Sequence, residues 1–579
     1  MDKIIQDETK IKIYGEIQKE LCNLRPKASK EEIDKIIDLI PQSFLNQKEE
    51  LMMLCHIFSY YARCNQTSKK GNALKLFQRI ISPIKSNLQD ESSFFWSIFG
   101  GHFYFKLWMH EEGLISIDKI IQCAQSDDTS AIAEYFFPEI MIERPEIFEN
   151  ETKYQLKIQY SPEAAAEFRE LRKKHMKWLL ESGDFHDPFY REIESNRLRL
   201  AIKTDDFESF QKILSNLNLS IDSKISESTL ENFYFYPHEV PIIEYAMEFN
   251  AINIFKFLVI QNVNLTDNLV FGSIQSTNYE IIHVIESKMN DKFKENALKS
   301  SLESWNGDMT EYVLNNYEYE FLYENDAYDE KNDMLIEIIY QTFSSFNFIF
   351  LQSTILPFLR KNPSFVSKNI YEIVSGTFFE MSGYFTNEFL KYPGIDISHE
   401  TVDKDGDVVT FLGRAIQLEN IKALEILLSY NDININSRCF KNFSPFHLAC
   451  KMGVDMKIIK MLSKYHDFDI NFFEPNFGDT AFGLAVSNGN FYALQFIIDN
   501  FDSVEICQED VNFFIYCCIK CKNYLTMKIM LRYFLNEFDD VTSESIVESF
   551  KEDFSHEPDY NEEYINVLKK IINTIVINN

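Results

Sequence analysis

Two stretches near the C-terminus carry the same residue pattern thirty-six positions apart. Residues 444–453 read SPFHLACKMG, and residues 480–489 read TAFGLAVSNG. Each is followed by a run with helical spacing of its apolar residues, at 456–462 and 492–498. A chain that repeats a short helix, a turn and a second helix at this interval buries its apolar faces against neighbouring copies. The pattern therefore predicts a stack of paired helices rather than one globular core.

The residue types at the repeated positions suit specific roles in such a pair. Ser444 and Thr480 are expected to be N-caps, and Pro445 suits the first helical turn, where no backbone donor is needed. Gly453 and Gly489 are expected to end the first helix, because glycine reaches positive φ at little cost. Small residues, which let neighbouring first helices approach closely, recur at Ala415, Ala449, Ala485 and Cys518.

Weaker copies of the same unit extend in both directions from these two stretches. Further helix pairs are predicted at 410–428, 513–533, 198–214, 240–258, 269–285 and 296–314. Between residues 315 and 400 helical patterns alternate, but no echo of the motif survives. The whole chain has only 17 Gly and 15 Pro among 579 residues, which favours helices joined by short turns over an all-β fold.

The repeated motif resembles the T-P-L-H-x-A signature of the ankyrin repeat. The passages PIIEYA at 241–246 and EIIHVI at 280–285 resemble the ankyrin-like domain of unknown function that precedes C-terminal ankyrin repeats in a divergent family of parasitic protists. The resemblance covers roughly residues 196–535 and is most specific at 405–500. It implies ankyrin-type packing and the binding of intracellular protein partners, and it supplies no catalytic residues.

We therefore predict an all-α protein in which a helical N-terminal module is followed by an ankyrin-type helical solenoid. The predicted N-terminal module covers residues 1–190 and is expected to cap the solenoid. Divergent ankyrin-like helical repeats follow at 191–400 and ankyrin repeats at 401–535. An acidic segment with a C-terminal capping helix is predicted at 536–579.

The formal net charge of −32 argues against partners that carry phosphates. Such a field repels nucleic acids and anionic lipid surfaces, and suggests a basic partner surface. The best basic cluster, Arg169 to Lys177, is interleaved with glutamates and is expected to be a solvated helix face. The ten cysteines are scattered in apolar surroundings, as in cytosolic or nuclear proteins with reduced thiols, and no signal peptide is evident. We expect a cytoplasmic or nuclear protein.

The uncharged stretch 338–359 is long enough to cross a bilayer. It contains many polar side chains and a proline, each costly in hydrocarbon. Two buried repeat helices are therefore the preferred interpretation, and a membrane tether through this segment is the alternative.

The candidate metal-binding and catalytic residues lack the additional ligands or catalytic groups that such sites require. The pair Cys518 and Cys521 forms a CxxC without a second pair for zinc. Asp403 begins a calcium-like loop that has Val408 where glycine belongs and Arg414 where the bidentate glutamate belongs. The family resemblance implies that the histidine at position 447 is structural and bonds loop backbone. No nucleotide-binding or hydrolase motif is present, so we predict no enzyme activity, catalytic residue, cofactor or metal.

The expected function is that of a scaffold or adaptor that binds proteins on the concave face formed by repeat loops and first helices. The loop tips of the best repeats give the candidate binding residues Arg438, Lys441, Phe473, Glu474, Asn476 and Phe477, of which the two phenylalanines could equally staple neighbouring loops. Two alternatives remain. The chain could be the client-recruiting subunit of a ubiquitin ligase or kinase complex, docked through residues 1–190, or it could hold an enzyme in that module. The partner and the oligomeric state do not follow from the sequence.

Overall fold

The computed structural model describes residues 8–577 with gaps, the longer of which are 65–69, 82–87, 127–130, 146–162, 175–193, 227–238, 318–331, 378–385, 391–394, 403–406, 473–479, 538–541 and 555–561. Regular structure in the described residues is almost entirely helical, which confirms the predicted all-α class. Contacts group the chain into two units. The first comprises Met1–Leu114 and Leu171–Ile395, and the second comprises Ile115–Glu170 and Asp396–Asn579.

The second unit contains consecutive helix pairs in which the first helices contact one another and the second helices contact one another. We call these the inner and outer helices. The inner helices are Phe411–Gln417, Pro445–Met452, Ala481–Ser487, Gln508–Lys520 and Ser543–Phe554. The outer helices are Ile421–Leu427, Met456–Leu462, Phe491–Asn500, Tyr524–Glu537 and Glu562–Ile577. Thr401–Val402 and Val408–Val409 form an antiparallel hairpin before the first pair.

The last inner helix lies in the segment that the sequence marks as acidic. Its acidic residues alternate with apolar ones at helical spacing, and Ile546 and Phe550 are buried. Because these two side chains are four residues apart, they share one helix face. That face packs on Gln508–Lys520, so the stack continues for one more pair.

The signature positions have the geometry predicted from the sequence. Ser444 and Thr480 are N-caps whose hydroxyls accept hydrogen bonds from the backbone three residues later, and Pro445 occupies the first helical position. Gly453 and Gly489 have φ of 68° and 71°, in the left-handed region that favours glycine. The small residues that separate neighbouring inner helices are fully buried: Ala415, Ala449, Ala485 and Cys518.

The first unit contains divergent pairs of the same kind. Its first helices are Glu194–Lys203, Ile242–Glu248, Asn268–Ser276, Asn290–Glu303 and Asn332–Ser344. The helices that follow them are Phe207–Leu217, Ile252–Ile260, Tyr279–Lys288, Gly307–Asn316 and the run Phe348–Phe350, Leu351–Ile355 (a π-helix) and Leu356–Lys361. Pro363–Lys368 and Ile370–Thr377 come next. Lys224–Ser226 and Glu239–Pro241 form an antiparallel hairpin.

The N-terminal part of the chain is helical, as predicted. Its helices in the first unit are Glu8–Asn23, Lys30–Asp38, Gln42–Asn46, Lys48–Cys64, Lys70–Ile81, Ser92–Ile98 and Phe103–Glu111. Those in the second unit are Ile117–Ser126, Ala131–Tyr135 and Phe137–Glu143.

The uncharged stretch 338–359 forms parts of two helices joined by a turn, in agreement with the preferred interpretation. Asn347 caps the second of them by accepting a hydrogen bond from the backbone N–H of Phe350. Within the ranges that the structure describes, no helix has the length and apolar character that a bilayer crossing demands.

The turns within the pairs share a second pattern, which joins neighbouring pairs. A residue in the left-handed region is followed by an Asn that caps the next helix, as at Trp305–Asn306, Phe346–Asn347 and Gly489–Asn490. The amide of each Asn also donates to a carbonyl of the preceding pair: Asn306 to Ile274 at 3.2 Å, Asn347 to Leu302 at 3.2 Å, and Asn490 to Cys450 at 3.0 Å. One side chain therefore satisfies a helix start and ties two repeats together.

Candidate protein-interaction surface

Of the six loop-tip residues predicted to bind a partner, Arg438 is the one that the structure describes. Arg438 is exposed, and its Nη2 donates to Oε2 of Glu400 at 2.9 Å. The other candidates, Lys441, Phe473, Glu474, Asn476 and Phe477, lie outside the described residues. Their role stays a prediction.

The exposed side of the inner helices Pro445–Met452 and Gln508–Lys520 has cationic and apolar side chains, together with the exposed Asp510. Lys451 is exposed, and its ammonium lies 4.2 Å from the ring centre of Phe443. On helix Gln508–Lys520, Phe513 is 51% exposed, and Lys520 lies 5.4 Å from the ring centre of Tyr516. Because residues 513 and 520 are seven apart, they share a helix face. This helix face is therefore accessible to a protein partner.

The opposite edge of the second unit, where inner helices turn into outer helices, is covered by the chain itself. Helix Ile117–Ser126 lies against three successive turns. Lys119 Nζ contacts Glu419 Oε2 at 2.5 Å, Gln122 donates to the carbonyl of Val454, and the Tyr492 hydroxyl donates to Asp118 at 3.1 Å. The side chain of Lys119 is only 3% exposed. We call this row of turns the turn edge.

One cation faces two carboxylates at this contact. Glu419 Oε2 also accepts a hydrogen bond from the backbone N–H of Asp455 at 3.2 Å. Burial raises the pKa of Asp455 above its ordinary value. Burial of the Lys119 ammonium lowers its pKa, but neighbouring groups, Cys123, Glu419 and Asp455, outweigh burial and raise the pKa above the ordinary value. The ammonium therefore stays charged inside the contact.

The first unit uses its own turn edge in a comparable way. Gln18, on helix Glu8–Asn23, donates to the carbonyl of Phe346 and accepts from the N–H of Phe348 at 2.8 Å. Tyr60, on helix Lys48–Cys64, stacks on Trp305 with ring centres 5.2 Å apart. N-terminal helices thus lie along the turns within pairs, a placement that the repeat pattern did not predict.

The basic cluster is a solvated face only in part: Lys174 is exposed, Arg169 and Arg172 are largely buried, and Lys177 lies outside the described residues. Arg169 is mostly buried and donates to Glu143 at 2.9 Å. Arg172 is 1% exposed, and Lys173 pairs with Glu111 at 3.2 Å. Arg169 and Lys173 thus pair with glutamates of other helices, and the Lys173 side chain remains 40% exposed.

The residues that were weighed for chemistry have structural surroundings. His447 is buried, with Nδ1 2.6 Å from the hydroxyl of Ser444, which caps the same helix. Cys518 is buried at the inner-helix contact, whereas Cys521 is exposed. Burial raises the pKa of the Cys450 thiol well above its ordinary value. Among the described residues, no cluster of three or more potential metal ligands occurs. The loop 403–406 lies outside them.

These observations define a class of protein, the repeat proteins built from stacked helix pairs that present an inner-helix face. The family model for ankyrin repeats matches residues 412–510, in three copies. These residues contain the three pairs that begin at Phe411, Pro445 and Ala481. No curated protein matches the chain. The ankyrin assignment thus applies to this part of the chain, and an origin in parasitic protists stays a prediction.

Proposed function

We propose that the chain is a non-catalytic scaffold or adaptor that binds a protein partner on the inner-helix face and loop tips of its second unit. Ankyrin repeats typically act through protein–protein interaction and not through catalysis. A preformed helical stack loses little conformational entropy on binding, which favours affinity from a modest surface.

The observation that carries the proposal is the contrast between the turn edge and the inner-helix face of the second unit. The turn edge is buried beneath helix Ile117–Ser126, as the 3% exposure of the Lys119 side chain illustrates. On the inner helices, by contrast, Met452 and Phe513 are 36% and 51% exposed. Met and aromatic side chains are enriched at protein interfaces relative to the rest of the surface.

The alternative of a client-recruiting subunit docked through residues 1–190 gains no comparable support. Helices Glu8–Asn23, Lys48–Cys64 and Ile117–Ser126 each direct a face toward the chain's own repeats. We therefore retain the scaffold function as the proposal. The domain boundaries at 190, 400 and 535, and an intracellular location, accompany it as predictions.

The test is partner capture by the intact protein, followed by affinity measurement with the purified partner. We expect Met452→Ala with Phe513→Ala to weaken binding at least tenfold, because truncating exposed apolar anchors removes contacts only in the complex. The matched control is Ile142→Ala, which removes a side chain that is 40% exposed on another helix. Equal losses in both variants, or capture that neither changes, would contradict the proposed face.

The predicted loop residues enter the same assay. We expect Phe473→Ala with Phe477→Ala to abolish capture while the thermal melting curve stays unchanged. A large drop in melting temperature would instead assign these two rings to loop packing.

A further inference from the structure

The last described helix pair of the second unit has an open groove between its two helices. Helices Ser543–Phe554 and Glu562–Ile577 form the walls, and the groove has a volume of about 540 Å³. Its floor is apolar: Ile572 is 3% exposed, and Val547 and Ile565 are half-buried. In the part of the chain that the structure describes, these two helices pack mainly on each other and on the preceding pair. The groove is therefore accessible to another chain.

Charged side chains of both signs line the walls of this groove. Glu544, Glu548 and Lys551 lie on the first wall, and Glu562 and Lys569 lie on the second. All five are exposed, and among the described residues none has an ionic partner within 4 Å. The two helices together carry six acidic and three basic residues, so the groove, with three and two, is more nearly balanced than the whole pair. A face of mixed charge suits a partner whose face is also of mixed charge.

We propose that this groove is the interface between two copies of the chain, related by a twofold axis that runs parallel to its two helices. A twofold interface uses the same surface of both copies, so each contact occurs twice. This axis exchanges the two walls and keeps their direction. The first helix of one copy therefore lies on the second helix of the other. The dimer goes beyond the binding function proposed above and does not depend on it.

The charges of the two copies match in this arrangement. The two helices are consecutive and joined by a short segment, so they run antiparallel, and residues equally far from that segment are level. Lys569 is seven residues from the start of its helix, and Glu548 and Glu544 are six and ten residues from the end of theirs. Lys569 of one copy thus lies opposite Glu548 and Glu544 of the other. Lys551, three residues from its helix end, lies close to Glu562, the first residue of the facing helix.

The apolar side chains fit the same register. Val547 is seven residues from the end of its helix, and Ile565 and Ile572 are three and ten residues from the start of theirs. Val547 of one copy therefore lies between Ile565 and Ile572 of the other. A twofold axis perpendicular to the helices would instead place Glu548, near the middle of its wall, opposite Glu548 of the second copy. Like charges in direct opposition are costly, so the charge pattern selects the parallel axis.

The size of the face predicts a dimer that forms and dissociates with concentration. Ser543–Phe554 has 12 residues and is about 18 Å long, and two packed helices are about 20 Å wide. Such a face buries a few hundred Å² per copy, at the small end for specific interfaces. Two joined copies present two inner-helix faces, so a partner with two matching segments would bind with higher avidity.

The experiment measures self-association of the full-length protein by sedimentation velocity from about 1 to about 200 μM, where we expect the dimer fraction to rise. Lys569→Glu should weaken dimerisation at least tenfold, because twofold symmetry repeats the reversed charge at two places and each faces glutamates. Glu544→Lys with Glu548→Lys should weaken it as much. The matched control, Lys460→Glu, makes the same charge change as Lys569→Glu at an exposed outer-helix residue and should change the dissociation constant less than twofold.

Mixing the two interface variants tests the proposed pairing itself. In the mixed dimer the reversed charge of Lys569→Glu faces the reversed charges of Glu544→Lys with Glu548→Lys, and the other half of the interface keeps its original pairs. We therefore expect the mixed dimer to form with an affinity within about threefold of the wild type, detected through a fluorophore on one variant. Circular dichroism confirms that each variant is folded, and Lys569→Gln, which removes the charge without reversing it, should weaken dimerisation less than Lys569→Glu.

Partner capture through Met452 and Phe513 is measured separately, so loss of the dimer leaves the proposed function standing. Four results would overturn the dimer: a wild-type chain that stays monomeric at the highest concentration, a dimer that neither interface variant weakens, an equal loss in Lys460→Glu, or a mixture of the two interface variants that stays monomeric.

Discussion

Replacing Lys119 by methionine is expected to release helix Ile117–Ser126 from the turn edge of the second unit. The substitution keeps most of the aliphatic volume but removes the ammonium that lies 2.5 Å from Glu419. Glu419 and Asp455 then face each other without a cation, in a contact where the lysine side chain was 3% exposed.

The magnitude follows from the cost of leaving a buried charge without its partner. Breaking a buried ion pair by removing one member typically costs about 3–5 kcal/mol. The Glu419 side chain is 23% exposed, so solvent reduces the cost of leaving its charge unpaired. We therefore expect a loss of stability near the lower end of this range, about 3 kcal/mol. At about 1.4 kcal/mol per factor of ten, this corresponds to roughly a hundredfold increase in local opening.

The stability that Lys119→Met loses at this contact should become smaller as the pH falls. In the native protein the raised pKa of Lys119 means that its contribution is present at neutral pH and lost only as the pH rises through that raised value. The pKa of Asp455 is also raised, so the folded state binds its proton more readily than the unfolded state. Protonation of Asp455 removes one of the unpaired charges, and the difference between variant and wild type should therefore shrink from about pH 7 toward pH 4.

Hydrogen exchange followed by mass spectrometry measures this effect where it occurs. Peptides that cover 117–126 should exchange roughly a hundredfold faster in Lys119→Met, whereas peptides from the first unit should not change. The control is Lys256→Met, which breaks an ion pair with Glu280 that is exposed on both sides, 44% and 61%, and should leave exchange at 117–126 unchanged. Unchanged exchange of 117–126 in Lys119→Met would refute the argument that this ion pair holds the helix on the turn edge.

Three further substitutions test the packing of the repeats by chemical denaturation followed by circular dichroism. Asn490→Ala should lower the free energy of unfolding by about 1–3 kcal/mol, because both the helix cap and the bond to Cys450 are lost, whereas Asn500→Ala on the exposed end of the same outer helix should have little effect. Gly489→Ala should cost at least about 1 kcal/mol, since φ is 71° and the added Cβ would lie 2.5 Å from the Asn523 amide nitrogen; an unchanged transition would show that the turn relaxes freely. Trp305→Ala should cost about 3–5 kcal/mol through loss of its stack on Tyr60 and its 2.7 Å bond to Ser345, while Tyr279→Ala, at an exposed ring, should change stability by less than about 0.5 kcal/mol.

The helix pairs could be predicted from the sequence because local patterns encode them. The signature at 444–453 and 480–489 carries the cap, the first turn, the small contact residue and the glycine together, and each has the predicted geometry. In the divergent repeats only apolar spacing remained, and it still predicted helices close to their observed bounds, as for 240–246 against Ile242–Glu248. Periodicity suffices because each helix must bury one face.

A further local signal recurs at the turns within pairs. Asn347, next to a residue in the left-handed region, marks a turn in the part of the chain where the T-P-L-H echo is lost, and Asn306 marks the turn of the pair before it. Asn and Asp at helix starts are common caps, so this signal has meaning only when it recurs at the repeat interval.

The cover over the turn edge could not be predicted. Lys119 and Glu419 are 300 residues apart, and Gln18 and Phe346 are 328 apart. A contact at such separation leaves no periodic trace in one sequence. The same reason applies to the basic cluster, since Arg169 pairs with Glu143 and Lys173 pairs with Glu111, both on helices that are distant in the sequence.

The measurement that tests the central claim most directly is a hydrogen-exchange footprint of the full-length protein with its captured partner bound. The account predicts slower exchange in peptides from the inner helices Pro445–Met452 and Gln508–Lys520, with no change at 117–126 or in the outer helices. Protection confined to the outer helices, or release of 117–126 so that the partner occupies the turn edge, would contradict it.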